Sequence, residues 1–267
     1  MSSERISRGR RGPHLLIGEG MEELKEHKVY SLTLAGVTVG CSFMFPDTFS
    51  FFGRYITGCG WGNGIRLSPE DRASWEKNIG PMNALSEYSA FTAPISDVLM
   101  GFDRCIIHAA AFRFRDKAFL IAAPSGVGKT TQVKTLSELY PGEFSVISGD
   151  RPVLEFADDG EVIAHPSPWN GKEGWCGAEA APLAAIILLK RGDQSSVGKV
   201  SAKDAAVRIF TSVFQSADDE ECVKRTAYYS DRLLKAAPVW EFVNGGVPDS
   251  SRMLYEKVLK EAELYGV

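Results

Sequence analysis

The sequence has no apolar run near the ~20 residues a membrane-crossing helix needs and no apolar core near its N-terminus of the kind a secretory signal carries. A cytoplasmic protein without a membrane partner is the expectation. Cysteine is sparse: Cys41, Cys59, Cys105, Cys176 and Cys222 are scattered, odd in number and never spaced as CxxC. That pattern argues against a disulfide framework or a structural zinc site and fits reduced thiols. Basic charge is also in deficit, with 30 Lys and Arg against 34 Asp and Glu and a net charge of −4. A nucleic-acid partner would ask for a basic face. The cluster Arg5, Arg8, Arg10 and Arg11 is confined to the N-terminus, and residues 1–12 read as a flexible, solvated basic tail. Beyond that tail there is no low-complexity block, and no internal repeat.

What is present is 267 residues, 44% of them hydrophobic, enough for one large domain or two modest ones with a packed core. The chain is organised around Ala123-Pro124-Ser125-Gly126-Val127-Gly128-Lys129-Thr130-Thr131. An apolar run, Ala118 to Ala122, leads in, and a helix-forming run, Thr131 to Leu139, leads out. Strand, glycine-rich loop and helix in that order are what a phosphate-binding P-loop requires. Gly126 and Gly128 let the backbone turn its N–H groups inward, and the helix adds free N-terminal donors. Lys129 brings a full positive charge for β/γ-phosphates, and the Thr130 hydroxyl suits Mg²⁺. Pro124, Ser125, Gly126, Val127, Gly128, Lys129, Thr130 and Thr131 are thus the candidate nucleotide-binding residues, with ATP and Mg²⁺ the expected ligands. Ala123 stands where the commoner pattern has glycine.

Along the rest of the chain, residues 30–45 alternate as a hairpin about Ala35-Gly36, followed by an aromatic patch of Phe49, Phe51, Phe52 and Tyr55. Gly58 to Gly64 lacks a lysine and a following helix, so it reads as a turn or mobile loop. Residues 68–90 mix short helical and loop signals. Ser96-Asp97 suggests the cap of a short helix, Val98 to Met100, closing at Gly101. Strands are expected from Cys105 to His108 and as a hairpin turning at Arg115-Asp116 into the P-loop strand. Further strands are expected at Phe144 to Ser148 and, paired about Asp158-Asp159-Gly160, at Val153 to Phe156 and Val162 to Ala164. Ala184 to Leu189 and Val239 to Val243 complete the strands. Residues 202–214, 218–236 and Ser250 to Leu264 read as helices, the last capped at Asp249 or Ser250.

The chain has no Leu-Ser-Gly-Gly stretch with a strand ending Asp-Glu, as an ABC-type ATPase would, and no Asn-Lys-x-Asp for guanine. It has His108 twenty-one residues before Lys129, then Ser-Gly-Val-Gly-Lys-Thr, then Ile147-Ser148-Gly149-Asp150-Arg151 at a strand end. With the Pro168-Trp169 loop, Leu189-Lys190-Arg191-Gly192 and Pro238-Val239-Trp240, this set over about residues 95–265 resembles the C-terminal domain of HPr kinase/phosphorylase. That family lies in the phosphoenolpyruvate carboxykinase-like P-loop group, and the resemblance is nearest to its stand-alone HPr-kinase-like proteins.

The resemblance implies an α/β fold: a mixed-sheet P-loop kinase core over 96–267, carrying an N-terminal β-rich region over 13–95. It implies ATP-dependent transfer of phosphate to a serine hydroxyl of a protein, peptide or small molecule, and a possible homo-oligomer. Lys129 would hold the β/γ-phosphates, Thr130 and Asp150 the metal, while Asp150 would also position or deprotonate the acceptor and His108 would sit beside the transferred phosphate. By its residue type alone His108 reads as a satisfied core histidine, a reading the spacing of the resemblance reverses, and the alternative for Asp150 is a turn residue. The family commonly has two adjacent aspartates at the strand end, and Gly149 replaces the first. An ATP-sensing regulator that transfers nothing, or a P-loop hydrolase, therefore stands as the alternative. Trp169, Lys172 and Glu173 mark a loop that reads either as an acceptor flap or as ordinary packing. Lys190 and Arg191 end a strand, where they either touch phosphate or are solvated.

Overall fold

The computed structural model describes residues 27–62, 64–171, 174–177, 179–216 and 219–261. The basic tail, Lys172 and Glu173 lie outside them. The first strands, β1 (His27–Leu34) and β2 (Val37–Cys41), form the expected hairpin. Ala35 and Gly36 both take positive φ at its turn, as a two-residue hairpin requires. The aromatic patch folds as α1 (Thr48–Phe52) and a single 3₁₀ turn. The next segment corrects the expected loop: β3 (Ile56–Gly62) pairs antiparallel with β1 along its length, giving a three-stranded sheet β2-β1-β3. Glycine weakens strand propensity, but the ladder to β1 satisfies this backbone and overrides it.

The segment 68–90 holds two short helices, α2 (Pro69–Asn78) and α3 (Ala84–Ala90), each opened by a reciprocal capping box, Ser68 with Asp71 and Asn83 with Ser86. The following helix, α4 (Thr92–Met100), begins earlier than expected. Ser96 is not its cap; the hydroxyl is buried inside the helix and accepts the Ile106 N–H at 3.1 Å.

Next come β4 (Arg104–Ile106), β5 (Ala110–Phe114) and β6 (Lys117–Ala122), then α5 (Lys129–Leu139) and β7 (Phe144–Ser148). The hairpin of β8 (Val153–Phe156) and β9 (Val162–His165) follows, then β10 (Ala181–Arg191) and β11 (Ser196–Val200), a strand the sequence reading lacks. The chain continues through α6 (Ala202–Phe210), shorter than expected, α7 (Glu220–Ala236), capped by Asp219, and β12 (Val239–Asn244). The final helix, α8 (Asp249–Leu254), has no side-chain cap and runs into a π-helical turn, Tyr255–Leu259.

The large sheet is mixed and nine-stranded, ordered β4-β8-β9-β10-β6-β5-β7, with β12 beside β10 and β11 beside β12. The parallel strand β10 explains the join. Its first residues pair with β9, and the rest lie parallel to β6 on one side and β12 on the other. Strands covered on both faces need a continuous apolar run, which β6 and β10 supply. Phe119, Ile121, Ile187 and Phe242 face α5 and α8 in one core, while Leu120, Ala122, Ile186 and Leu188 face α6 and α7 in another. A third core joins the N-terminal sheet to Ile95, Leu99, Ile106, Val153 and Trp169. Packing thus crosses the expected boundary at residue 95.

Candidate functional site

The P-loop leaves the C-terminal end of β6, a central strand, and turns into α5. Gly126 and Gly128 have φ of 77° and 113°, and Gly128 occupies the left-handed N-cap position of α5. A residue with a Cβ would be strained at both positions. Pro124, Ser125, Gly126 and Thr131 are exposed; Val127, Gly128 and Thr130 are half-buried. The loop's own backbone contact is a long one, Val127 N–H to Pro124 O at 3.4 Å. Lys129, only 7% exposed, stays inside this turn. Its Nζ donates to Ala123 O at 2.9 Å and lies 3.1 Å from His108 Nε2. Burial lowers the lysine pKa, and the nearby Asp150 carboxylate opposes that shift.

His108 leaves the sheet just after β4, held by its own N–H to Ser212 O at 2.7 Å. The next residue, Ala109, donates to Asp150 O at 2.9 Å and so ties the histidine to the strand end after β7. Lysine can only donate, so His108 Nε2 must accept and the ring proton belongs on Nδ1. That nitrogen faces Asp150 Oδ1 at 3.4 Å, long for a strong hydrogen bond. Burial lowers the His108 pKa; Asp150 pushes it back up, and Lys129 and Arg151 add to the lowering. The imidazole is therefore uncharged at neutral pH. His108, between them, touches both Lys129 and Asp150 and so links residues far apart in the chain at the mouth of the P-loop.

The other Asp150 oxygen, Oδ2, lies 3.2 Å from Arg151 Nε. Arg151 is itself held by Thr92 Oγ1 at 2.5 Å and lies over the Phe214 ring at 4.8 Å. A Cβ on Gly149 would fall 2.4 Å from Asn170 O and 3.2 Å from Trp175 O. The loop after Trp169 docks there, with Gly149 N–H donating to Trp175 O at 2.9 Å. The place of a second carboxylate is filled by main chain. Ser148 Oγ, Asn170 Oδ1 and Arg151 Nε, all around this turn, are buried without a hydrogen-bond partner. Trp169 is turned into the protein. Its ring is 2% exposed, packs on Phe52 and Tyr88, and donates Nε1–H to Tyr88 O at 2.9 Å.

Three cations complete the surroundings. Arg191, at the end of β10, donates from Nε to Val127 O at 3.0 Å and from Nη2 to Gly126 O at 2.7 Å. Lys190 is paired with Glu241 at 2.5 Å. Sequence reasoning missed Arg208 of α6, because a lone arginine in an amphipathic helix carries no signal. It shares Glu241 at 3.4 Å and donates to Leu189 O at 3.2 Å. With His108, Pro124, Thr211 and Ser212 it lines a cavity of about 210 Å³ beside the P-loop. One carboxylate, Glu241, serves both Lys190 and Arg208, so positive charge is in excess beside the loop. That field suits a polyphosphate.

Among the described residues, no three His, Cys, Asp or Glu side chains cluster as a metal site. Mg²⁺ is ordinarily held by one or two protein oxygens together with phosphate and water. A hard hydroxyl on Thr130, a carboxylate on Asp150 and unpartnered oxygens beside it are a donor set that fits. Among the described residues no helix is long and apolar enough to cross a membrane.

No protein-family model matches the chain, and no curated protein matches its sequence. Among solved structures, the Hpr(Ser) kinase/phosphatase from Coxiella burnetii is similar over 60% of this chain and 91% of that one, at 12% identity and a TM-score of 0.34. A likeness of that grade is a distant relation of fold and carries no residue roles.

Proposed function

We propose that the chain is an ATP- and Mg²⁺-dependent phosphotransferase that moves a γ-phosphate to a hydroxyl, serine first among them, of a protein, peptide or small molecule. The observation that carries this is the contact chain Lys129–His108–Asp150 at the mouth of a left-handed glycine loop. Phosphoryl transfer depends chiefly on position and charge neutralisation. Lys129 would turn from Ala123 O and His108 to the β/γ-phosphates, and the free amides of the loop and of α5 would take the remaining oxygens. Bound Mg²⁺ would neutralise charge on the phosphate oxygens, held by Thr130 and Asp150. Asp150 is held from both sides, by His108 and Arg151, and would accept the acceptor's proton as the new P–O bond forms and ADP leaves.

A second reading, an ATP-sensing regulator that transfers nothing, is favoured by one observation: Gly149 admits no carboxylate. γ-Labelled ATP incubated with extract of the source cell separates the readings. On the first, wild type labels an acceptor, Asp150→Asn binds ATP without labelling, and Lys129→Ala does neither. Tight binding with no labelled product supports the regulator, and label appearing only as inorganic phosphate supports a hydrolase. Unimpaired binding and turnover in Lys129→Ala would sink all three.

A further inference from the structure

We propose that Arg191 is the positioning residue of the phosphate loop, a brace that aims its amides into the cradle; this rests on the phosphate-binding reading above. The loop has little support of its own. Its residues from Pro124 to Gly126 are exposed, and its internal backbone bond is long at 3.4 Å. Arg191 reaches it from a fixed base, since its backbone pairs with Asn244 of β12 at the end of a strand with parallel partners on both sides.

The direction of the contacts gives the brace its meaning. Arg191 Nη2–H and Nε–H donate to two successive carbonyls, Gly126 O at 2.7 Å and Val127 O at 3.0 Å. In a trans peptide the C=O and the N–H of the following residue point opposite ways. Holding the Gly126 and Val127 carbonyls toward β10 therefore turns the Gly128 N–H away from it, and with it the Val127 N–H, whose one bond, to Pro124 O, is the long one at 3.4 Å. Gly126 and Gly128, both at positive φ, have the backbone freedom to flip if released. A planar guanidinium offers two donors at fixed spacing, which a single lysine ammonium does not. Arg191 thus acts on a bound phosphate through the loop and does not touch it.

The test compares wild type, Arg191→Ala and Arg191→Lys by calorimetric titration with ADP and ATP in Mg²⁺, ATP turnover, and hydrogen exchange of the nucleotide-free chain. The loss expected in Arg191→Ala is about tenfold in affinity for both nucleotides, with turnover at saturating ATP little changed. Arg191→Lys should recover only part of the affinity. Amides of the peptide spanning 124–130 should exchange faster in Arg191→Ala while the rest of the chain is unaltered. Equal affinity in Arg191→Ala would overturn the brace. So would a fall in turnover at unchanged affinity, which would make Arg191 a direct contact of the transferred phosphate. Should wild type bind neither nucleotide, the phosphate-binding reading fails. The brace is then judged by hydrogen exchange alone, and identical exchange over 124–130 refutes it.

Discussion

His108 shows how one residue type takes its meaning from its neighbours. Between a lysine that can only donate and a carboxylate that can only accept, it must be a neutral ring with its proton on Nδ1. Burial holds it, and His165 in the β8–β9 hairpin, below the usual imidazole value of 6.5. Above that value both rings are uncharged in the folded and unfolded chain alike, so they leave stability unchanged. As pH falls through about 6.5, the unfolded chain takes up the protons first and folding weakens. The urea midpoint should accordingly drop between about pH 7.5 and about pH 5.5. In His108→Asn the drop should shrink, with His165 supplying the remainder. An undiminished drop in that variant would mean that the His108 ring charges freely in the folded protein.

At the scale of elements, the site depends on a loop docked onto a strand end. The segment 174–177 lies along β7, where Ser148 faces Cys176 and Gly177 N–H bonds to Ile147 O at 3.0 Å. This close approach explains Gly149, because the Asn170 carbonyl stands where its Cβ would be. Gly149→Ala should cost ~1–3 kcal/mol by overpacking, seen as a lower thermal midpoint, and should weaken phosphate transfer because Asp150 is the next residue. Gly149→Asp should be worse on both counts. If an acidic residue there instead raised the proposed transfer without loss of stability, the loop would have to yield at Asn170, contrary to the packing described.

For the whole molecule, the N-terminal sheet and the P-loop core are tied through the site's own supports. Trp169 sits in the N-terminal core with Phe52 and Phe91, and the chain leads from it directly to Asn170 over Gly149. Arg151, beside Asp150, bonds to Thr92 of α4, and Tyr88 of α3 donates to Pro168 O at 2.6 Å. Trp169→Ala should therefore lose ~3–5 kcal/mol and reduce the proposed ATP turnover as well, although the indole lies in the N-terminal core and not in the P-loop. Full stability in that variant would show that the N-terminal portion contributes little to the core. Loss of stability with normal turnover in the folded fraction would uncouple the core from the site.

Local chemistry in the sequence was enough for the strand, glycine turn and helix of β6 and α5, because glycine conformation and helix start act within nine consecutive residues. It was enough, too, for the buried strands β6 and β10, whose apolar runs admit little else, and for the hairpins at Ala35-Gly36 and Asp158-Asp159-Gly160. β3 and β11 escaped it, since exposed strands have no apolar period and exist through the ladder each forms with a neighbour. The segment 68–90 gave only mixed signals: α2 buries no side chain and so has no apolar stripe to read. Tertiary structure alone decided that Trp169 is a core anchor, that Arg191 grips two loop carbonyls, and that a main-chain carbonyl fills the space beside Gly149. Each is a contact between residues distant in sequence, where geometry in space, and no property of either residue alone, sets the outcome.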